Sequence, residues 1–422
     1  MNIGTIAHRL FQLAIIALAL FIPFSIAGAT IAAAFGLLAW LLSSIARRRK
    51  ASYTASILHD PLLHASALLV VSALLSVFMS EDFTRAYKDW GSYWILSICF
   101  LMAANLVAHR SRESVFWVLF LSTTLSCLVA FVQRAGGFDM WFIHIRGMQR
   151  VASTLFTMTF AGILYLVIVL GLSVALRRGI SLRSAIVLWT GLAIQFAAIL
   201  LTVTRGAWVA LFAGLVTVCV LVRSKTVVVA SVVVIVAVLV FAFMAPKDSR
   251  RIISPTMVTK QNDVNVQTRL VLWNIAWDLI KKYPVLGVGM GDFTIEADKR
   301  IGERKPLTTT DAHNIYLQVF ATRGVFGFLP FAFFWVVMFR SLFSVKASSR
   351  RGTLQWHYAV GAIGATVAVL FGALTENNLH DEEVFIAYMF VVGLALSARY
   401  ALPADARGAK KTDAGADIVD RR

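Results

Sequence analysis

The chain has 422 residues, of which 59% are hydrophobic and only 15% charged, against about 25% charged in soluble domains. Its mean hydropathy of +0.76 excludes a soluble enzyme, a secreted disulfide scaffold and a disordered chain, because a soluble protein of this size cannot hide that much apolar surface. The 40 Lys and Arg over 22 Asp and Glu give a net charge of +18, which here is a signal of topology before it is one of nucleic acid, so no nucleic-acid partner is expected.

Apolar runs fall near 10–27, 29–46, 61–79, 91–108, 115–133, 154–176, 184–201, 206–222, 226–245, 324–343, 356–375 and 383–399. Each is long enough to cross about 30 Å of hydrocarbon as a helix, which satisfies its own backbone there. The first two are joined by a tight turn in the region 23–28. No cleavable signal peptide is expected, because the run after Arg9 continues into the second with no Ala-x-Ala exit. Orientation follows from the short connections. With the N-terminus in the cytoplasm, the inner ones carry Arg47 to Lys50, Arg110 and Arg112, then Arg177, Arg178 and Arg183, then Arg223 and Lys225, and finally Arg340, Lys346, Arg350 and Arg351. Every short inner loop is therefore basic.

The chain then divides into nine spans over 1–245, one large outer loop over 246–312, three spans over 313–400, and a disordered cytoplasmic tail over 401–422. The fold class is an all-α polytopic membrane protein of about twelve transmembrane helices. Its outer loop contains an amphipathic helix over 268–282, on which Trp273, Ala276, Trp277 and Ile280 share a face. Tyr283-Pro284 ends that helix. The run Gly287-Val288-Gly289-Met290-Gly291 lacks both the Lys-Ser/Thr of a P-loop and the GxGxxG spacing, and reads as a turn. Cys99, Cys127 and Cys219 fall in apolar runs without a CxxC or Cys/His set. No pair of His has ligand spacing with a carboxylate. Neither a metal nor a cofactor is expected.

The polar residues that the charge rule leaves over gather on the outer side. Arg205 lies between two apolar runs with almost no loop, where a guanidinium seeks an anion, either a ligand or a lipid phosphate. Gly206 after it permits close approach. His313 opens a helix that Asp311 could cap, and an imidazole there can take a proton near neutral pH. Arg269 lies four residues before Trp273 on the amphipathic helix. Arg146 and Arg150 are four apart in a loop with Trp141 and Phe142. Each of these arginines suits a substrate phosphate or an ordinary headgroup. Arg146, Arg150, Asn314 and Trp273 are the candidate substrate-binding residues. The outer group Glu376, Asp381, Glu382 and Glu383 reads as a solvated loop or an arginine partner. The spans hold almost no ionisable group, the nearest being His64 and an Arg323 read at a helix start, which argues against an ion-driven carrier.

Four stretches occur in order: Thr204-Arg205-Gly206-Ala207-Trp208; Arg269-x-x-x-Trp273; Tyr283-Pro284-Val285-Leu286-Gly287-Val288-Gly289; and His313-Asn314-x9-Gly324-Val325-x-Gly327. Together they resemble the O-antigen ligase family and its relatives, the O-antigen polymerases and the pilin-type protein O-glycosylation ligases. The motif-bearing part covers about 190–345, and the span layout extends the likeness along the chain. The resemblance implies a GT-C-like enzyme of the Gram-negative inner membrane. Such enzymes move a preassembled O-antigen polysaccharide from undecaprenyl diphosphate to the lipid A–core oligosaccharide in the periplasm. The reaction needs no nucleotide, is regarded as metal-independent and inverts the anomeric centre. The resemblance places the family's essential His and Arg at His313 and Arg205, and its large-loop Arg at Arg269.

The residues agree with this on chemical grounds. Outside the membrane there is no nucleotide sugar, so the donor arrives already activated, and a polyprenyl diphosphate is such a donor. Arginine forks match its charge, and His313 can accept the acceptor hydroxyl's proton. Expected partners are the lipid-linked donor, a lipid A–core acceptor and membrane lipids. An O-antigen polymerase or protein ligase would share this chemistry with another acceptor. A transporter of lipid-linked sugars would need polar residues along its spans.

Overall fold

The computed structural model describes residues 3–46, 59–105, 109–136, 152–223, 260–301, 311–377, 380–397 and 399. The run at 226–245, the tail at 401–422, Arg146 and Arg150 lie outside the described residues. Among the described residues all regular structure is helical. In chain order the helices are α1 Ile3–Phe21, α2 Ile26–Ala46, α3 Pro61–Phe78, α4 Phe83–Gly91, α5 Leu96–Asn105 (reached through a 3-10 turn, Ser92–Ile95), α6 His109–Gly136 and α7 Thr157–Ala175. They continue as α8 Leu182–Leu201, α9 Arg205–Val222, α10 Lys260–Lys282, α11 Phe293–Ile301, α12 Ile315–Ser348, α13 Leu354–Gly372 and α14 Glu382–Leu396.

Eight of the described helices are long and apolar enough to cross a membrane, and the chain is a multi-pass membrane protein. Three runs read as spans are shorter. The apolar part of α1 covers only Ile6–Phe21. The run 91–108 breaks into the 3-10 turn and the ten-residue α5. The run 383–399 forms the 15-residue α14. The reason is visible for α14: nearly every residue is buried, and it packs on α5, α13 and α7 rather than facing outward. A helix enclosed by protein need not match the hydrocarbon thickness.

Helices α7, α13 and α14 form the inner layer. Around them α1–α2, α3, α6, α8 and α9 leave Leu13, Ile31, Leu75, Val132, Ile186 and Val220 exposed, as apolar side chains facing lipid do. Helices α9 and α13 meet at Gly214 and Gly364, where a side chain on either would press against the other backbone. Starts are set locally: Asp60 caps α3 ahead of Pro61, Ser181 caps α8 and Thr353 caps α13.

Helix α12 governs the site. It is interrupted at Gly324, whose φ of 58° and ψ of −160° are not helical. The break frees backbone groups that must find partners. The segment after α10 supplies them. Val288 and Gly289 donate to the carbonyls of Ala321 and Thr322 at 3.1 and 3.0 Å, and Val325 and Phe326 donate to those of Pro284 and Val285 at 2.9 and 3.2 Å. Ser76 of α3 donates a second hydrogen bond to the Thr322 carbonyl. The run 287–291 is thus a turn held against another backbone. Gly287 (φ 72°) and Gly324 face each other where the strands of chain cross, and a side chain on either would collide with the opposite backbone.

Gly324→Ala and Gly287→Ala should therefore each lower stability by at least about 2 kcal/mol. Gly91→Ala, with open space around it, should leave it unchanged. Thermal unfolding of the detergent-solubilised protein, followed by tryptophan fluorescence, reads this.

Candidate functional site

His313 lies in the short link before α12 with φ 47°, the left-handed region that few residues other than glycine adopt. Such a backbone costs of order 1–3 kcal/mol and persists only where its surroundings enforce it. They do so here. The His313 amide donates to Asp311 Oδ1 at 2.7 Å, Ala312 N donates to Gln318 Oε1 at 2.9 Å, and Ile315 N donates to the Ala373 carbonyl at 3.0 Å. The cap of α12 is Asn314 rather than Asp311. Its Oδ1 accepts from the amides of Tyr316 and Leu317, and its Nδ2 donates to the Leu374 carbonyl at 3.1 Å. Both ends of that buried amide are spent on holding the start of α12 against the end of α13. Trp273 of α10 is also engaged in holding the link, with its Nε1 donating to the Ala312 carbonyl at 3.0 Å.

The imidazole is three-quarters shielded. Its Nδ1 faces two carboxylates, Glu376 Oε2 at 3.4 Å and Asp311 Oδ1 at 3.6 Å. Glu376, in the loop after α13, also binds the Arg269 guanidinium through its other oxygen. One carboxylate thus joins the helix of the large loop to the His313 link. The hydrogen bond to Glu376 is the largest influence on His313 and raises its pKa above 6.5; burial opposes this, Asp311 reinforces it and Arg269 opposes it. Carboxylates on the Nδ1 side place the neutral ring's proton there and leave Nε2 as the acceptor.

Arg205 is the first residue of α9 and is exposed. The preceding turn is sharp, with Val203 at φ 54°, and Trp208 of the same motif ties it down by donating Nε1 to the Ile199 carbonyl at 3.0 Å. No side chain caps α9, so the positive end of the helix dipole adds to the guanidinium's charge. Gly206 abuts Thr375, where any side chain would strike the Thr375 hydroxyl. That contact brings the start of α9 next to Glu376.

The structure therefore gathers His313, Arg269 and Asn314 around the loop after α13, with Trp273 on the adjoining link and the Arg205 turn against the same loop. Residue Glu376, read only as a loop carboxylate or arginine partner, is the hub. Of the residues read as sharing a face of α10, Ala276 and Ile280 are buried together with Leu272, Ile275 and Leu279, whereas Trp277 is 53% exposed. At 100° per residue the packed face is centred on those positions, and Trp277 turns outward beneath the Lys281 ammonium. Arg323 is not at a helix start: it is buried immediately before the Gly324 break.

Replacing Glu376 with Gln should lower the His313 pKa, because the hydrogen bond that favours the charged ring is lost. A histidine NMR titration should show His313 titrating above 6.5 in the native protein and at lower pH in Glu376→Gln.

Residues 190–332 match the family model described as O-antigen ligase. The match runs from α8 through the Gly324 break and contains Arg205, Arg269, Trp273, His313 and Asn314. Comparison with curated proteins finds no match.

Proposed function

We propose that this multi-pass membrane protein, whose residues 190–332 match the family model described as O-antigen ligase, is an O-antigen ligase. In this reading it moves a polysaccharide from undecaprenyl diphosphate to a hydroxyl of lipid A–core oligosaccharide at the periplasmic face of the inner membrane. The observation that carries the reading is His313, held in a strained backbone with Nδ1 toward the carboxylate that also binds Arg269.

The chemistry follows from that arrangement. The acceptor oxygen attacks the anomeric carbon of the donor from the side opposite the diphosphate. His313 Nε2 takes the hydroxyl proton as the new C–O bond forms, and the Glu376 carboxylate stabilises the resulting imidazolium. The bond from the anomeric carbon to the phosphate oxygen breaks, and polyprenyl diphosphate leaves with the electron pair. Arg205 and the free donors of Arg269 stabilise the charge that grows on it; one well-placed donor of this kind contributes about 3 kcal/mol. A single displacement inverts the anomeric centre. Arg146 and Arg150 are further candidates for holding the anionic substrate.

The charge distribution supports the orientation. At the end of the bundle opposite His313, Arg112 binds Gln355 at the start of α13, Arg351 binds the Val222 carbonyl at the end of α9, and Arg399 pairs with Asp60 at the start of α3. Basic connections favour the cytoplasmic side, which supports the reading in which His313 faces the other. A polymerase or protein ligase would use the same residues on a different acceptor.

Replacing His313 with Ala should lower transfer by about 100- to 10,000-fold, with lipid-linked O-antigen accumulating and the lipopolysaccharide ladder lost. A normal ladder at normal expression would reject the role. In the native enzyme kcat/KM should rise with pH to a plateau, because only the neutral imidazole accepts a proton. The midpoint should lie above 6.5 and fall in Glu376→Gln. That variant should also lose rate by about 10- to 100-fold, the equivalent of one charge-assisted hydrogen bond.

A further inference from the structure

The two halves of α12 meet at a sharp angle. In a straight helix Phe320 and Phe328 would be about 12 Å apart along the axis, and Tyr316 and Phe331 about 22 Å. Their ring centres are instead 5.0 and 6.1 Å apart, so the segment before Gly324 folds over the segment after it. The first segment is fixed at the ends of two spans. Ile315 donates to the Ala373 carbonyl just past the end of α13, and the Thr322 carbonyl accepts from Ser76, two residues before the end of α3. Both span ends lie on the His313 side, since the far ends carry Gln355, bound by Arg112, and Asp60, paired with Arg399. The first half of α12 therefore runs from one span end to another, along the edge of the membrane rather than through it.

Helix α10 lies beside this half and points the same way. Trp273 bonds to Ala312 at one end, and the carbonyls of Pro284 and Val285 accept from Val325 and Phe326 at the other. Between them Leu272, Ala276 and Leu279 share a core with Ala312 and Ala321. Arg269, on the same helix, binds Glu376 in the loop that follows α13. Thus α10 also follows the membrane edge, from Arg269 to the crossing at Gly324.

One margin of this arrangement is uncovered and apolar. Phe326, Leu329, Phe333 and Val336 are exposed at intervals of three and four residues, a single stripe on a membrane-spanning segment. Val285 and Leu286, held against the start of that stripe, are exposed as well and extend it past Gly324. Next along the chain come two exposed rings, each with an ammonium over it: Lys281 Nζ is 5.8 Å from the Trp277 ring centre, and Lys282 Nζ 4.9 Å from that of Tyr283. Among the described residues neither lysine has a carboxylate within ion-pair distance; Asp278, one turn before Lys282, is 3.9 Å from Arg300 instead. Apolar tips, then aromatic rings, then lysines is the order in which a bilayer changes from acyl chains to headgroup phosphates.

We propose that α10 is an interfacial helix seated in the leaflet on the His313 side. Val285 and Leu286 insert among the acyl chains beside Phe326, the Trp277 and Tyr283 rings lie at headgroup level, and Lys281 and Lys282 meet the phosphates of anionic phospholipids. The bilayer then fixes the depth of Arg269, and through Glu376 that of His313. This inference is independent of the glycosyl-transfer reading, and its test reads no activity.

The full-length protein is reconstituted in bilayers with a bimane on one introduced cysteine: Val285→Cys, Leu286→Cys or, on the polar part of the exposed face, Asn274→Cys. Cys99, Cys127 and Cys219 are buried, so the introduced thiol takes the label. Lipids brominated on their chains should quench the labels at 285 and 286 at least about 3-fold more than the label at 274, and aqueous iodide should show the reverse order. In mixed bilayers, bromines carried by phosphatidylglycerol should quench the label at 286 at least about 2-fold more than bromines carried by phosphatidylcholine, and Lys281→Gln/Lys282→Gln should abolish that preference. Iodide reaching 285 and 286 as readily as 274 would overturn the proposal by placing this margin in water. Protection of 285 and 286 from both quenchers would overturn it in favour of a second protein copy covering the margin. Equal quenching by the two brominated lipids in the native sequence would overturn the role given to the lysines.

Discussion

Glu376 is the constraint around which the site is organised. It is a single carboxylate, largely shielded, with one oxygen on a guanidinium and the other toward an imidazole. Three distant stretches of chain meet at it: the helix of the large loop, the link before α12, and the loop after α13. Take the carboxylate away and Arg269 and His313 face each other as like charges, which is why Arg269 lowers the affinity of His313 for a proton while Glu376 raises it. The same group that steadies the fold at this point also decides which nitrogen of His313 is available for chemistry.

The packing beneath explains why the link can hold a left-handed histidine. The Gly287–Gly324 crossing fixes the first segment of α12 against the chain that follows α10. Asn314 then fixes the start of α12 to the end of α13, and Trp273 fixes the residue before His313 to α10. These are mostly backbone hydrogen bonds with short, specific lengths, so the position of the imidazole is set by main chain rather than by a mobile side chain. Sites supported in this way hold their geometry to the tolerance that catalysis requires.

Much of the fold was legible in the sequence, because hydropathy over about 20 residues is a strong local signal. The eight long helices follow from it. The short ones did not, since α5 and α14 are as apolar as a span but owe it to burial within the protein. The candidate residues His313, Arg205 and Arg269 were legible because their motifs place unusual polar groups beside apolar runs. Glu376 was legible only as one of two alternatives, a solvated carboxylate or an arginine partner, for its partners are remote in sequence; the pairing with Arg269 is the second. Arg323 was hidden by the continuous helical pattern of α12, which gives no hint that Gly324 breaks it or that Gly327 makes room for the stem of the Arg323 side chain. The shared face of α10 was legible from its spacing, but not how much of it packs: Trp277 at its margin is exposed.

The account stands on one displacement assisted by one base, and the stereochemistry of the product reports on that directly. A lipid-linked donor of known anomeric configuration, transferred by the purified enzyme to lipid A–core, should give a glycoside of the opposite configuration in the carbon-coupled NMR spectrum of the new linkage. Retention of configuration would mean two successive displacements through a covalent intermediate, and would contradict the role given to His313.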